Sequence, residues 1–385
     1  MFMKFTVRTT QHFLNVIKHS FSVQAEQPIL VNGNKISKDV LSKVKDRILS
    51  IRERVNIREP KLAIILVGNA ADSISYVSVK QRACKRVGVQ SELIHLPETA
   101  TQKEVIQIVE DLNKREDVDS ILTQLPFPAQ ISKTIVINQI EPSKDVDGLQ
   151  RCFLTKQLIW DDHNNRALPC TPQSCLHILD THQIDVKGKQ VVMLGKGLLV
   201  GSPLGAILLG RGAIVSMCDK KSDLSIALKD ADILVSATGV RKLVKGEQLK
   251  KGVIVIDVGC SRPLPHEDQS SIVGDVELES VILKASLITP VPGGVGPVTV
   301  SMLIQNVVNQ WERNNSALIQ QAQLEATDET NKQKQEKAQK NQQLNYDLKQ
   351  IDQIKENTCE EDLGDQQQEK LNKIIQNSKK NILIQ

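Results

Sequence analysis

The sequence is poor in aromatic residues: two Trp, two Tyr and six Phe make up only 3% of its 385 residues. A platform that stacks single-stranded nucleic acid needs several interleaved aromatic side chains, so the composition argues against that class of protein. An excess of one charge is also lacking, because 49 Lys and Arg face 45 Asp and Glu and leave a net charge of +4. Nucleic acid is therefore not an expected partner.

Long apolar runs and cysteine motifs are absent as well. No apolar run approaches the roughly 18 residues of a transmembrane helix, so we expect no contact with a membrane. The seven Cys include no C-x-x-C pair, which argues against a disulfide framework or a zinc ribbon and favours a reducing compartment. The chain is long enough for two or three domains at roughly 100–200 residues each, and we expect a soluble intracellular α/β enzyme.

Residues 1–27 differ in composition from the rest of the chain. They carry Lys4, Arg8 and Lys18, several Ser and Thr, and no acidic residue before Glu26. Their apolar residues could form one face of a helix. This combination is typical of a transit peptide and predicts a protein of the mitochondrial matrix, with a cytoplasmic protein that carries a ragged extension as the alternative.

Between about residues 28 and 315, short apolar runs alternate with helix-length amphipathic stretches. This alternation predicts βαβ units and parallel sheets. The predicted strands are Leu62–Val67, Ser120–Gln124, Gln190–Leu194, Ala213–Met217, Asp232–Val235 and Val253–Val258. The pattern breaks at residues 144–166, which favours a hinge between a first lobe, residues 28–150, and a second lobe, residues 151–290.

The tail, residues 316–385, is rich in Gln, Lys and Glu and contains no Pro. Leu344, Leu348 and Ile351 have helical spacing, but the pattern does not extend over enough heptads to predict a coiled coil. We therefore expect a polar tail that is disordered or helical.

A glycine-rich turn follows the predicted strand Gln190–Leu194. Its Gly-x-Gly-x-x-x-Gly spacing allows the backbone to approach a pyrophosphate at the start of a helix. The next strand ends in an Asp-Lys pair, at the place where a dinucleotide-binding fold contacts the adenosine ribose. The predicted cofactor-binding residues of a Rossmann-like second lobe are Gly195, Lys196, Gly197, Gly201, Asp219 and Lys220.

Three other segments carry residues suited to ligand binding. Tyr76 and Lys80 are spaced i, i+4 on a predicted helix. Loops at residues 123–128 and 142–148 follow strands, where α/β proteins place their sites. The loop at residues 289–297 contains three Pro and three Gly, which suits a flat ligand lying against the backbone. Short-chain dehydrogenases also use Tyr-x-x-x-Lys, but there it follows the glycine turn, so the order found here excludes that class.

Seven motifs occur along the chain in one order. They are Tyr76…Lys80, Gln124-Leu-Pro-x-Pro, Lys144-Asp-Val-Asp-Gly148, Pro169-Cys-Thr-Pro172, the glycine turn, Ile256-Asp-Val-Gly259 and Pro290-Val-Pro-Gly-Gly-Val-Gly-Pro297. In this order they closely resemble the methylenetetrahydrofolate dehydrogenase/cyclohydrolase family over about residues 28–315.

The resemblance implies a bifunctional enzyme. It would oxidise 5,10-methylenetetrahydrofolate by hydride transfer to a nicotinamide cofactor and hydrolyse the 5,10-methenyl product to 10-formyltetrahydrofolate. Lys80 would be the key residue of hydrolysis, with Gln124 orienting it, Tyr76 packing on the folate and Asp147 anchoring the pterin. A cationic intermediate favours the neutral form of a nearby lysine, which could act with water as a base. Further implied substrate contacts are Ser73, Pro292, Gly293 and Gly294.

Cofactor choice and assembly also follow from the resemblance. Lys196 and Lys220 could pair with a 2′-phosphate and favour NADP, whereas Asp219 could accept from a free ribose hydroxyl and favour NAD. The family norm and two lysines against one aspartate favour NADP. The resemblance further implies two lobes around a cleft, a return helix at residues 298–314 on the first lobe, and a homodimer. No metal site is expected.

The sequence departs from the family pattern at three places: at the turn, where Gly195-Lys196-Gly197 replaces the usual Gly-Arg-Ser, after Gly148, and after Pro172, where Gln173-Ser174 replaces the usual x-Gly. The alternatives are a monofunctional dehydrogenase, a non-catalytic folate- or dinucleotide-binding paralogue, and a scaffold protein that works through the tail. The intact set of Tyr76, Lys80, Gln124 and Asp147 argues against them. Cys170 is interpreted as a small packing residue.

Overall fold

The structure is a computed structural model that describes residues 27–150, 167–262 and 272–356, together with Glu369, Lys373 and Gln376. The predicted transit peptide, apart from Gln27, lies outside these residues.

The strands are β1 Ile29–Leu30, β2 Lys61–Val67, β3 Gln90–Leu96, β4 Ser120–Thr123, β5 Gln190–Leu194, β6 Ile214–Cys218, β7 Ile233–Ser236, β8 Val253–Asp257 and β9 Ala285–Ile288. The helices are α1 Gly33–Arg54, α2 Ala71–Val87, α3 Gln102–Lys114, α4 Lys133–Gln139, α5 Cys170–Thr181, α6 Gly201–Gly210, α7 Leu224–Ala227, α8 Leu278–Val281, α9 Val295–Asn314 and α10 Ser316–Glu356.

The first sheet has three parallel strands in the order β3-β2-β4. The central strand β2 is buried from Leu62 to Val67, as expected for a parallel strand that is covered on both faces. Helix α3 packs Val105 and Val109 into this core, and a capping box of Thr101 and Glu104 fixes its first turn. The sheet therefore brings the loops after β2 and β4 to one edge.

The second sheet has six parallel strands in the order β1-β9-β8-β7-β5-β6. From β5 the chain continues to β6 on one side and to β7, β8 and β9 on the other. Such a reversal opens a crevice at the carboxyl ends of the strands, where dinucleotides bind. The predicted α/β fold with parallel sheets is confirmed. Strand β1, which lies in the segment assigned to the first lobe, pairs with β9 through Ile29 and Leu287.

Helix α9 contacts the first sheet and the helix that leads into the second. It begins at Val295, three residues before the predicted start of the return helix at residue 298. It packs against α5 and also against α2, β2 and β4. The buried Trp311 donates from Nε1 to the carbonyl of Arg58 at 3.1 Å. The helix therefore lies against the first sheet and joins it to the segment that leads into the second.

The described residues form two compact units, one that runs to Asn314 without residues 54–56, and one that contains residues 54–56 and the chain from Asn315 onward. In the second unit, residues 316–356 form α10, so the helical alternative for the tail is the one observed there. Leu318, Leu324, Tyr346 and Leu348 on α10 are exposed. No helix among the described residues is long and apolar enough to cross a membrane.

Candidate active site

Lys80 and Gln124 meet at the edge of the first sheet. Lys80 lies on α2, and its Nζ is 3.0 Å from Oε1 of Gln124, which is buried and directly follows β4. The backbone N–H of Gln124 donates to the carbonyl of Ile65, and its Nε2 donates to the carbonyl of Leu125. Because the Nε2 end of the amide is engaged, the oxygen is turned toward the lysine.

Tyr76 and Ser73 share helix α2 with Lys80. Ser73 is buried in the first turn, whereas the side chain of Tyr76 is 43% exposed. The phenol oxygen of Tyr76 lies 3.2 Å from Sγ of Cys260, which follows β8 in the other sheet. This hydrogen bond and partial burial raise the pKa of Tyr76 to about 12. The phenol is therefore protonated at neutral pH.

Asp147 lies half-buried on a loop whose start is fixed by Lys144. The Nζ of Lys144 donates to three backbone carbonyls at the end of α3, those of Leu112, Asn113 and Arg115, at 3.0, 2.8 and 2.6 Å. Carbonyls at the last turn of a helix have no partner within the helix and carry partial negative charge, so a cation is stabilising there.

Asp145 shapes the remainder of that loop from within the core. Its carboxylate accepts from the N–H groups of Gly148 at 3.1 Å and Gln150 at 3.2 Å. Burial, and secondly the charge of Asp147, raise the pKa of Asp145 to about 7, although the backbone hydrogen bonds act in the opposite direction. A group that titrates near neutral pH thus lies beside the predicted pterin anchor.

Cys170, the first residue of α5, lies beside Asp147 and was not predicted as a site residue. Burial, and then the charge and hydrogen bonding of Asp147, raise the pKa of the Cys170 thiol well above its usual value. Nδ2 of Asn306 on α9 lies 3.6 Å from its Sγ and donates to the carbonyls of Val146 and Leu168. The thiol is thus a protonated neighbour of Asp147 rather than a nucleophile. The Pro169–Pro172 motif is the signal that could have placed it at the site.

The glycine turn lies at the carboxyl end of β5. Gly195 has a φ of +94°, and a Cβ there would lie 2.4 Å from the carbonyl oxygen of Ala237. A Cβ on Gly201 would lie 1.9 Å from the carbonyl oxygen of Gly195. The Cβ position of Gly197 has no neighbour within 4 Å. The turn therefore excludes side chains at its base and is open at its tip, which fits a ligand that approaches the backbone closely.

Lys196 and Asp219 form an ion pair at the end of the turn. The Nζ of Lys196 lies 2.6 Å from a carboxylate oxygen of Asp219, and this contact is the main cause of the lowered pKa of Asp219. Lys220 is exposed next to the pair. The predicted cofactor residues are thus on the six-stranded sheet, whereas Lys80 and Gln124 are on the three-stranded one.

The loop of Pro292, Gly293 and Gly294 packs on the start of α1. The N–H of Gly33 donates to the carbonyl of Gly293 at 2.9 Å, and a Cβ on Gly33 would lie 1.8 Å from the carbonyl oxygen of Gly294. The Val291–Pro292 peptide bond is cis, as is Leu125–Pro126 in the loop after Gln124. Pro292 is exposed and Gly294 is buried.

These features define a class: a two-sheet α/β enzyme that combines a dinucleotide-binding crevice with a lysine–glutamine pair. In the part of the chain that the structure describes, no group of three or more His, Cys, Asp or Glu is placed to hold a metal ion.

Comparison with family models identifies the family. The model for the tetrahydrofolate dehydrogenase/cyclohydrolase catalytic domain matches residues 31–147, and the model for the NAD(P)-binding domain of the same family matches residues 169–315. The chain belongs to the tetrahydrofolate dehydrogenase/cyclohydrolase family, as the order of its motifs predicts.

Relatives and solved structures agree with this assignment. The chain is 41% identical over 292 residues to the bifunctional protein FolD of Aquifex aeolicus (strain VF5), covering 76% of this chain and 98% of that one. It resembles the crystal structure of the bifunctional enzyme FolD from Campylobacter jejuni with a TM-score of 0.70 and 38% identity, over 74% of this chain and 99% of that one. For the Trypanosoma brucei FolD, complexed with NADP cofactor and inhibitor, the TM-score is 0.72 and the identity 33%, over 75% and 99% of the two chains.

Proposed function

We propose that the protein oxidises 5,10-methylenetetrahydrofolate to the 5,10-methenyl form and hydrolyses that product to 10-formyltetrahydrofolate. The observation that carries this proposal is the 3.0 Å contact between Lys80 Nζ and Gln124 Oε1 in a member of a dehydrogenase/cyclohydrolase family. Oxidation removes a hydride from the methylene carbon and leaves a methenyl cation. Hydrolysis adds water to that carbon, releases a proton and opens the ring.

The chain's own residues bind the substrate and move the proton. Gln124 fixes the position of Lys80 Nζ, which in its neutral form accepts the proton that the attacking water loses. Asp147 accepts hydrogen bonds from the donor edge of the pterin, and Tyr76 packs against the folate. The nicotinamide ring, when bound, supplies the hydride acceptor. The side-chain-free turn at Gly195 and Gly201 fits the pyrophosphate of that cofactor.

The test follows methenyl absorbance after the full chain is mixed with methylenetetrahydrofolate and NADP or NAD. The methenyl signal should appear and then decay. Lys80→Met should slow the decay by on the order of 100-fold or more, whereas Lys85→Met, an exposed lysine of the same helix, should not. Absence of turnover with both cofactors would contradict the proposal. A methenyl signal that persists in the unmodified enzyme would indicate a monofunctional dehydrogenase.

We propose NADP as the preferred cofactor. Lys196 already neutralises Asp219, so this carboxylate repels a 2′-phosphate less than an unpaired one would, and Lys220 adds a second cation. The Trypanosoma brucei relative was solved with NADP. Lys220→Ala should lower kcat/KM for NADP and leave kcat/KM for NAD unchanged. Asp219→Ala should raise kcat/KM for NADP, because Lys196 would no longer be paired with Asp219. A higher kcat/KM for NAD in the unmodified enzyme would refute the preference.

We infer that the protein forms a homodimer through β6. This strand is an edge of the six-stranded sheet, and Ile214, Met217 and the nearby Leu209 are exposed. An unpaired apolar edge can pair with another chain, and two identical edges pair about a two-fold axis. Light scattering should show a dimer for the unmodified chain and a monomer for Ile214→Lys. The control Leu283→Lys, which changes an exposed leucine elsewhere, should stay dimeric. A monomeric unmodified chain would refute the dimer, and a dimeric Ile214→Lys variant would place the interface elsewhere.

We propose that the protein resides in the mitochondrial matrix. The support is the composition of residues 1–27, which are basic, hydroxylated and free of acids before Glu26. A fluorescent reporter fused after residue 27 should enter mitochondria. A reporter that stays in the cytoplasm would favour the cytoplasmic alternative.

A further inference from the structure

A short extended segment after β8 contacts helix α2 across the two sheets. We call Cys260, Ser261 and Arg262 the strap. The Cys260 Sγ lies 3.2 Å from the Tyr76 hydroxyl. Arg262 donates from Nε to the carboxylate of Asp72 at 2.6 Å. Two side chains of the strap therefore meet two side chains of α2.

The distance between the two contact residues on α2 matches the distance between the two on the strap. Asp72 and Tyr76 are four residues apart on a helix, which is about 6 Å along its axis. Cys260 and Arg262 are two residues apart in an extended segment, which is about 6.6 Å. Because side chains alternate along extended backbone, Ser261 points the other way. The strap therefore lies alongside the first turns of α2 in register.

Ser261 attaches the strap to the second sheet. Its Oγ donates to the carbonyl of Gly239 at 3.1 Å. Its N–H and carbonyl form a reciprocal pair with Val273 at 2.9 and 3.0 Å. Gly239 follows Ala237, whose carbonyl packs on Gly195 of the cofactor turn. The backbone that carries Cys260 is thus hydrogen-bonded to a loop that packs against the cofactor turn.

Tyr76 is 43% exposed, and its hydroxyl is hydrogen-bonded to Cys260 in the segment after β8. We propose that Cys260 is a positioning residue that orients the Tyr76 ring for the folate through this hydrogen bond. The inference rests on the proposed folate activity. It means that the lobe that binds the dinucleotide also orients a ring on the folate side.

The kinetic test compares Cys260→Ala, Cys260→Ser and Tyr76→Phe. Cys260→Ala should raise the KM for methylenetetrahydrofolate about fivefold, the value of one hydrogen bond, and leave kcat and the KM for NADP within about twofold. Cys260→Ser should restore the KM, because its hydroxyl keeps a partner for Tyr76. In a Tyr76→Phe background, Cys260→Ala should add nothing. An unchanged KM in Cys260→Ala, or a full additional loss in Tyr76→Phe, would overturn the inference.

A spectroscopic test is independent of turnover. The chain has only two Tyr, Tyr76 and Tyr346, so tyrosine labelled with ¹³C at the ζ carbon alone gives two resonances, and that of Tyr346 in α10 serves as the internal reference. Cys260→Ala should shift the Tyr76 resonance, and Cys260→Ser should return it toward the original position. If neither resonance moves, the contact is absent whatever the activity. If the resonance moves but the enzyme does not oxidise methylenetetrahydrofolate, the contact stands, while the proposed function and the positioning role that rests on it both fail.

Discussion

At the residue scale, the two ends of the Gln124 amide have different partners. Nε2 donates to the Leu125 carbonyl at 2.7 Å and Oε1 accepts from Lys80 at 3.0 Å. In Gln124→Glu a carboxylate would face Lys80, hold its proton in place and remove its capacity as a base. We expect methenyl hydrolysis to fall about 100-fold and oxidation to fall less, measured by the decay and the appearance of methenyl absorbance. Equal losses in both steps would contradict this role.

Asp145 makes stability depend on pH. Its ordinary pKa is 3.8, and in the folded chain it is about 7, so between these values the folded state holds a proton that the unfolded state has released. The free energy of unfolding should therefore fall as pH rises from about 4 to 7, by up to about 4 kcal/mol. Asp145→Asn cannot titrate and should lack this contribution.

Urea unfolding of both proteins at pH 4.5 and pH 8 measures the difference. The unmodified chain should lose stability relative to Asp145→Asn as pH rises. Asp46→Asn, which changes an exposed carboxylate on α1, is the control and should follow the unmodified chain. Equal pH dependence in the unmodified chain and Asp145→Asn would show that Asp145 titrates normally.

At the element scale, the sequence pattern predicts six of the nine strands that the structure describes. All six predicted strands are observed, each within one residue at either end. Strand β3 was not predicted, because polar residues such as Glu92 and His95 interrupt its apolar residues. Strand β1 has only two residues, which are too few to show a period. Strand β9, of four residues with Ser286 exposed among them, was not predicted either.

The residues of the site were also predicted only in part. The motifs that carry Lys80, Gln124 and the glycine turn are visible in the sequence, and the pairing of Lys80 with Gln124 was implied by the family resemblance. The contacts of Asp147 with Cys170 and of Tyr76 with Cys260 also join residues from different elements, but they were not predicted. They depend on how helices and sheets pack, which neither composition nor periodicity specifies.

Lys144 links two elements and should contribute measurably to stability. Its ammonium binds three carbonyls at the end of α3. These hydrogen bonds fix the start of the loop that contains Asp147. Lys144→Met keeps the aliphatic stem but leaves these carbonyls without a cation, so we expect a loss of about 2 kcal/mol in the free energy of unfolding and a higher KM for the folate. Lys133→Met, on the exposed surface of α4, is the control for urea unfolding. An unchanged KM would separate this lysine from the position of Asp147.

At the scale of the whole molecule, the site is assembled from both sheets. The pair of Lys80 and Gln124 lies at the three-stranded sheet, and the glycine turn lies at the six-stranded one. Helix α9 contacts the loop that carries Asp147 and the start of α5, with Gln310 donating to the Asp145 carbonyl at 2.9 Å and Asn306 lying beside Cys170. All of these residues fall in the compact unit that runs to Asn314. We therefore expect that neither activity requires a residue from α10.

Removal of the chain after Asn315 tests this division. The truncated protein keeps α9 complete and loses only the polar helix α10 and the residues beyond Glu356. We expect kcat and KM for oxidation and hydrolysis to stay within about twofold of the full chain, the range of changes remote from a site. Circular dichroism should show a loss of helix alone, with an unchanged midpoint for the remaining transition. A truncated chain that folds but loses either activity would assign the tail a part in catalysis, and one that no longer folds would show that the first unit depends on it.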